Sequence, residues 1–185
     1  MKDKTVKDLM VPLADYATVY EEETLFDAVM ALEKAQQAFN QSRYRHRAIL
    51  VFGQNDQIVG KISQIDVLRA LEPRYGEIGD PEKISRAGFS PQFLKSMLDS
   101  FGLWRESLTD VCQKALKNKV KDIMYSITEG EFIKENASLG EAIHQFVMGH
   151  HHSLLVVSDK EKIVGILRLT DVFEEIVQIM KACQL

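Results

Sequence analysis

The sequence predicts an α+β protein made of two copies of one strand–helix–strand–strand–helix unit, separated by a helical insertion. Three observations predict it. A seven-residue phrase occurs twice, as Gly60-Lys-Ile-Ser-Gln-Ile-Asp66 and Gly165-Ile-Leu-Arg-Leu-Thr-Asp171, and Asp56-Gln-Ile-Val and Glu161-Lys-Ile-Val lead into it. An entry phrase also occurs twice, as Thr5-Val-Lys-Asp-Leu-Met10 and Lys119-Val-Lys-Asp-Ile-Met124. The spacing is constant within blocks: Met10 and Met124 are 114 residues apart, and Gly60 and Gly165 are 105 apart. The first copy therefore carries nine extra residues, between Lys34 and Arg45. Self-similarity at a fixed offset is the mark of repeated supersecondary units.

Each copy opens with a short extended stretch, around Ala17–Tyr20 and Glu131–Lys134. A helix follows, announced by Thr24-x-x-Asp27 and Ser138-x-x-Glu141. In such boxes the hydroxyl takes a free N–H of the first turn and the carboxylate reaches back to the cap. Leu25, Val29 and Leu32 fall on one face, as do Leu139, Ile143, Phe146 and Val147. Ala35–Phe39 extends the first of these helices. Two apolar strands come next, joined by the polar turns Gly53–Asp56 and Ser158–Glu161. Their nearly continuous apolar character suits buried strands. The closing helix is clearest in the second copy, where Leu169, Val172, Phe173, Ile176, Val177 and Met180 recur at helical spacing. Its counterpart from Ile65 stops at Glu72-Pro73, because the residue before proline disfavours helix. The units are thus residues 1–73 and 119–185, with an insertion at 74–118.

Within the insertion, Gly76, Gly79, Asp80-Pro81 and Gly88 mark turns. Ser90-Pro91 starts a helix, with Ser as cap and Pro in the first turn, and Phe93, Leu94, Met97, Leu98 and Phe101 form its apolar face. Leu108, Val111, Ala115 and Leu116 give a second helix. Those faces need cover from the repeats, another subunit or a partner.

Whole-chain properties narrow the function. The 185 residues are 45% hydrophobic and 27% charged, with a net charge of −4. That balance gives no nucleic-acid footprint. The longest apolar runs, Ala48–Phe52 and Leu154–Val157, are strand-sized, so no membrane span is expected. No apolar stretch follows the charged start, so no signal peptide is expected. Cys112 and Cys183 have no partner spacing, which fits a reducing cytoplasm.

The entries Val6-x-Asp8-x-Met10 and Val120-x-Asp122-x-Met124, with the exits Gly60-x-x-Ser63-x-x-Asp66 and Gly165-x-x-Arg168-x-Thr170-Asp171, resemble a tandem pair of CBS domains, or Bateman module. The resemblance covers roughly residues 4–72 and 119–181. It implies β-α-β-β-α units packed about a pseudo-twofold axis, with their sheets facing each other. It also implies a non-catalytic module that binds adenosine-containing ligands between the repeats and signals to another protein. AMP, ADP and ATP are the usual ligands, and S-adenosylmethionine occurs. Homodimers are common among such modules. With no effector domain in this chain, the regulated protein is expected to be separate.

The site chemistry follows. A carboxylate accepts from both ribose hydroxyls, a task for Asp66 and Asp171. Ser63 can donate to a phosphate, helped by helix-start N–H groups. Ser63-x-x-Asp66 is equally a capping box, and the two roles can coexist. Arg168 stands where the family usually has Thr or Ser. It can bind phosphate, block the cleft or pair with an acidic neighbour. Thr170 can supply a hydroxyl beside Asp171. The two clefts are therefore expected to differ in affinity, and an empty one is among the outcomes. His46-Arg47 resembles the phosphate-contacting pair of the gamma subunit of AMP-activated protein kinase, and His151-His152 stands at the matching place. Arg43 and Arg45 lie on the same approach, for which a solvated surface loop is the bland alternative. Alignment to the family puts Pro12, Ala17, Ser126 and Glu131 at the adenine pockets.

His150-His-His152 invites a metal reading, but consecutive side chains of an extended segment point to opposite faces. No metal is expected. No Gly-x-Ser-x-Gly, P-loop or His-Glu-x-x-His is present, so no catalytic residue is assigned. The alternative function is a structural or dimerisation module without nucleotide binding.

Overall fold

A computed structural model describes residues 4–38, 45–78, 89–105 and 108–183. Gly79, Asp80-Pro81 and Gly88 of the expected turns, and Arg43 of the basic approach, lie outside the described residues. The first copy contains helix α1 (Val6–Leu9), strands β1 (Val11–Pro12) and β2 (Thr18–Tyr20), and helix α2 (Leu25–Ala38). Strands β3 (Ala48–Phe52) and β4 (Ile58–Ser63) and helix α3 (Gln64–Leu71) complete it. The insertion contributes α4 (Pro91–Ser100) and α5 (Leu108–Lys117). The second copy repeats the order with α6 (Val120–Ile123), β5 (Tyr125–Ser126), β6 (Phe132–Lys134) and α7 (Leu139–Gly149). It ends with β7 (Ser153–Val157), β8 (Ile163–Arg168) and α8 (Leu169–Ala182).

The strands form two four-stranded sheets, in the orders β1-β8-β7-β6 and β2-β3-β4-β5. Each sheet takes one short edge strand, β1 or β5, from the other repeat. Val11 pairs with Ile166, and Lys61 pairs with Tyr125. The entry helices cross over as well. Val6 N–H donates to Ala137 O at 3.0 Å, and Val120 N–H donates to Glu23 O at 3.0 Å. Val6 is buried in the core of the second lobe, with Ile133, Leu139, Phe146 and Leu167. Val120 is buried in the core of the first, with Val19, Ile49, Val51 and Ile62. A third apolar cluster, Val11, Tyr16, Leu50, Leu155 and Ile166, joins the two sheets.

This exchange explains the paired phrases. A side chain on Gly165 would place its Cβ 2.5 Å from Val11 O and 3.0 Å from Met10 Sδ. One on Gly60 would stand 2.8 Å from Met124 Sδ and 2.9 Å from Tyr125 O. Each entry methionine and the strand after it therefore lie directly on the glycine of the opposite repeat, where only a missing side chain leaves room. The β3–β4 and β7–β8 hairpins also correspond, with Asp56 (φ 55°) and Glu161 (φ 58°) in the left-handed region of their turns.

The capping boxes form as expected at Thr24–Asp27 and Ser138–Glu141. Ser90 caps α4, its hydroxyl accepting from Phe93 N–H at 3.1 Å. The insertion is fastened to the end of α3. Asn118 Nδ2 donates to Ala70 O at 3.0 Å and Lys114 Nζ to Leu71 O at 3.2 Å, filling carbonyls that a helix end leaves open. Buried Glu72 accepts from Arg74 Nε at 2.7 Å, Arg74 Nη2 at 2.8 Å and Trp104 N–H at 2.7 Å. Phe93, Leu94 and Leu98 of α4 stay exposed, so the repeats do not cover that face.

Candidate functional site

The two Asp motifs occupy equivalent places but different surroundings. Along β4, Ile62 enters the core under the helices, so the period-two alternation of a strand sends Lys61 and Ser63 to the opposite face. Ser63 then caps α3. Its N–H and hydroxyl donate to Asp66 Oδ2 at 2.9 and 2.5 Å, and its hydroxyl accepts from Asp66 N–H at 3.4 Å. The capping alternative is thus realised at this motif. Asp66 Oδ1 lies 3.8 Å from Arg69 Nη1, and the Asp66 side chain keeps 19% of its surface in solvent. Arg47 is exposed, and its carbonyl accepts from Gln64 N–H at 3.2 Å, which fixes it beside the start of α3.

The exchanged β5 and the loop after it stand next to β4. Ser126 is exposed. Glu131 is buried and pairs with Lys61, while its other oxygen accepts from Thr128 N–H and hydroxyl, both at 3.2 Å. Burial pushes the Glu131 carboxyl up, but Lys61 and Thr128 outweigh it and hold it below the ordinary value. Lys61 Nζ also sits 5.5 Å from the centre of the Tyr125 ring.

At the second motif Arg168 folds back onto Asp171. Nε donates to Oδ2 and Nη2 to Oδ1, both at 2.6 Å. Only 6% of the Arg168 side chain and 4% of the Asp171 side chain meet solvent. Of the three fates open to Arg168 in the sequence, pairing with an acidic neighbour is the one observed. Tyr16, from the first repeat, is buried against Leu155 and Ile166 of the second sheet. Burial pushes its phenol up to about 12, with Arg168 opposing the shift and Asp171 adding to it. The His46 ring meets Tyr16 edge-on, 4.5 Å between centroids. His46 is therefore core and not part of a solvated loop, and its carbonyl accepts from Gln36 Nε2 at 2.9 Å.

Pro12 is exposed on the exchanged strand, opposite Gly165 of the second repeat, whereas Ala17 is buried in the core of the first lobe with Val19, Ile49 and Val51. Thr170 is half-buried in the first turn of α8. His151 is half-buried and His152 exposed, and the His152 carbonyl accepts from Leu169 N–H at 3.0 Å, as that of Arg47 does from Gln64. Two hollows of about 460 and 510 Å³ flank α7. His144 and His151 line the larger one, and neither Asp motif lines either. Among the described residues no group of three or more metal-type ligands converges. The free Cys112 and Cys183 are exposed.

Two residues at these sites escaped the sequence reading. Tyr16 is aligned with Gly130 at the 114-residue offset, and Lys61 with Ile166 at the 105-residue offset. Such mismatches inside an otherwise regular repeat were the available signal.

The sequence model of the CBS domain family matches twice, over residues 6–73 and 120–178. The chain belongs to the CBS domain family. This tandem CBS pair is similar in structure to CBSX2 of Arabidopsis thaliana, solved in complex with AMP. In that comparison the TM-score is 0.59 at 20% identity, covering 96% of this chain and 99% of that one. It is also similar to the CBS domain of a bacterial CNNM/CorC family Mg2+ transporter in complex with ATP, with TM-score 0.58, 18% identity, and 94% and 87% coverage. Protein MJ1004 of Mathanocaldococcus jannaschii matches at TM-score 0.56 and 18% identity, over 95% of this chain but 60% of that protein. At these identities the likeness is one of fold. No curated protein matches the sequence. No helix among the described residues is long and apolar enough to cross a membrane.

Proposed function

We propose that this CBS pair is a non-catalytic regulatory module that binds an adenine nucleotide (AMP, ADP or ATP) at Ser63–Asp66 and signals to a separate protein. The observation that carries it is the partly exposed Asp66 carboxylate, in the repeated family motif, beside exposed Arg47. Asp66 accepts from the ribose hydroxyls, the Ser63 hydroxyl meets phosphate, and Arg47 supplies positive charge. The complexes of CBSX2 with AMP and of the CNNM/CorC domain with ATP support this ligand class. The module works as a homodimer in the cytoplasm, where its exposed thiols stay reduced.

One observation favours interaction without a ligand: the exposed Phe93, Leu94 and Leu98 of the insertion suit a protein surface. A thermal-shift panel of AMP, ADP, ATP and S-adenosylmethionine separates the readings. A ligand at a hundred times its Kd stabilises by about 2.7 kcal/mol, or roughly 5–10 °C for a chain of this size. A shift of that order with one nucleotide supports the sensor, and none with any of the four refutes it.

A further inference from the structure

The equivalent positions of the two repeats differ in bulk and charge where they meet the Asp motifs. Arg168 stands in place of Ser63, and Tyr16 in place of Gly130. Both larger residues are buried on the same side of the molecule, with His46 against Tyr16. Arg168 occupies both oxygens of Asp171. A ribose arriving there meets a carboxylate that is 4% exposed and covered by Arg168, and displacing Arg168 strands a guanidinium in a dry site. Tyr16 is packed with Leu50, Leu155 and Ile166, between the sheets. At Ser63–Asp66 the counterparts are a glycine and a hydroxyl, and the carboxylate is partly in water.

We propose that the Arg168–Asp171 cleft is sealed by the chain's own side chains, Arg168 and Tyr16 standing where a ligand would lie, so that each chain takes up one nucleotide, at Ser63–Asp66. This rests on the nucleotide reading for its stoichiometry but not for the seal itself.

Calorimetric titration with AMP tests the stoichiometry. The wild type is expected to bind one AMP per chain. Asp66→Ala is expected to weaken that event roughly ten- to a hundredfold, the worth of hydrogen bonds to a charged group. A Tyr16→Gly/Arg168→Ser double variant, which copies the open side and gives Asp171 a hydroxyl for capping, is expected to bind two. Two sites in the wild type, wild-type affinity in Asp66→Ala, or a folded double variant with one site overturns the proposal. An arm without nucleotide guards against a double variant that fails to fold. The Arg168 Nε–H signal, assigned by its loss in Arg168→Lys, is expected to exchange with water far more slowly than that of Arg47. Equal exchange overturns the seal. A protected Nε–H in a protein that binds no AMP upholds the seal and sinks only the nucleotide reading.

Discussion

Asp66 and Asp171 occupy the same place in the repeated phrase, yet their removal is expected to differ severalfold in cost. Asp66→Ala removes one side of an N-terminal capping box on a partly solvated helix end. Losing such a cap costs about 1 kcal/mol. Asp171→Ala leaves Arg168 buried without its doubly hydrogen-bonded partner. Breaking a buried ion pair from one side costs about 3–5 kcal/mol, because the remaining charge has no compensation. A domain of this size loses roughly 2–4 °C of Tm per kcal/mol. The expected losses are then about 2–4 °C for Asp66→Ala and about 6–20 °C for Asp171→Ala. Differential scanning calorimetry without ligand, on both variants in one buffer, measures them. Replacing the pair together, as Arg168→Met/Asp171→Ala, should recover much of the loss, since no buried charge remains. Equal, small losses in the two single variants would refute the buried ion pair.

The exchanged entry strands give a second expectation. Gly165→Ala drives a methyl group into Val11 O and Met10 Sδ, and overpacking of that kind costs about 1–3 kcal/mol in urea unfolding. Glu72 provides a pH test. Hydrogen bonds from Arg74, opposed by burial and reinforced by Trp104 N–H, hold its carboxyl down at about 2 in the folded chain, against about 4.3 unfolded. Its contribution is therefore complete above the unfolded value and lost as pH falls from about 4.3 through about 2. In Arg74→Ala the Glu72 titration followed by carboxyl NMR should move upward, and an unchanged titration contradicts the pairing. Trp104, the single tryptophan, donates its backbone N–H to Glu72, so release of that bond should change the surroundings of its ring and its fluorescence over the same acid range.

Much of this architecture was legible because the repeat tells the same story at several levels. The helix starts at Thr24, Ser90 and Ser138 and the stop before Pro73 are local events, set by hydroxyls, carboxylates and proline geometry within a few residues. The exchange of β1 and β5 between sheets was not legible. A two-residue strand carries no periodicity, and its partner is fixed by long-range packing of Met10 and Met124 on distant glycines. At the site, the capping role of Ser63–Asp66 was readable from spacing, and Arg168 was visible as a departure, but its choice among three fates depended on burial. Tyr16 shows the same limit. Nothing local distinguishes a tyrosine that plugs an interface from one on a surface loop. His46 was read with Arg47 as a phosphate-contacting pair, while its flanking residues Arg45 and Arg47 are exposed and His46 itself turns inward.

The most direct test of the account is an amide-resolved NMR titration with AMP. The account predicts saturable shifts at Arg47, Ser63, Gln64 and Asp66, with Arg168, Thr170 and Asp171 unmoved. Shifts confined to residues 168–171, or none anywhere at saturating AMP, would contradict it.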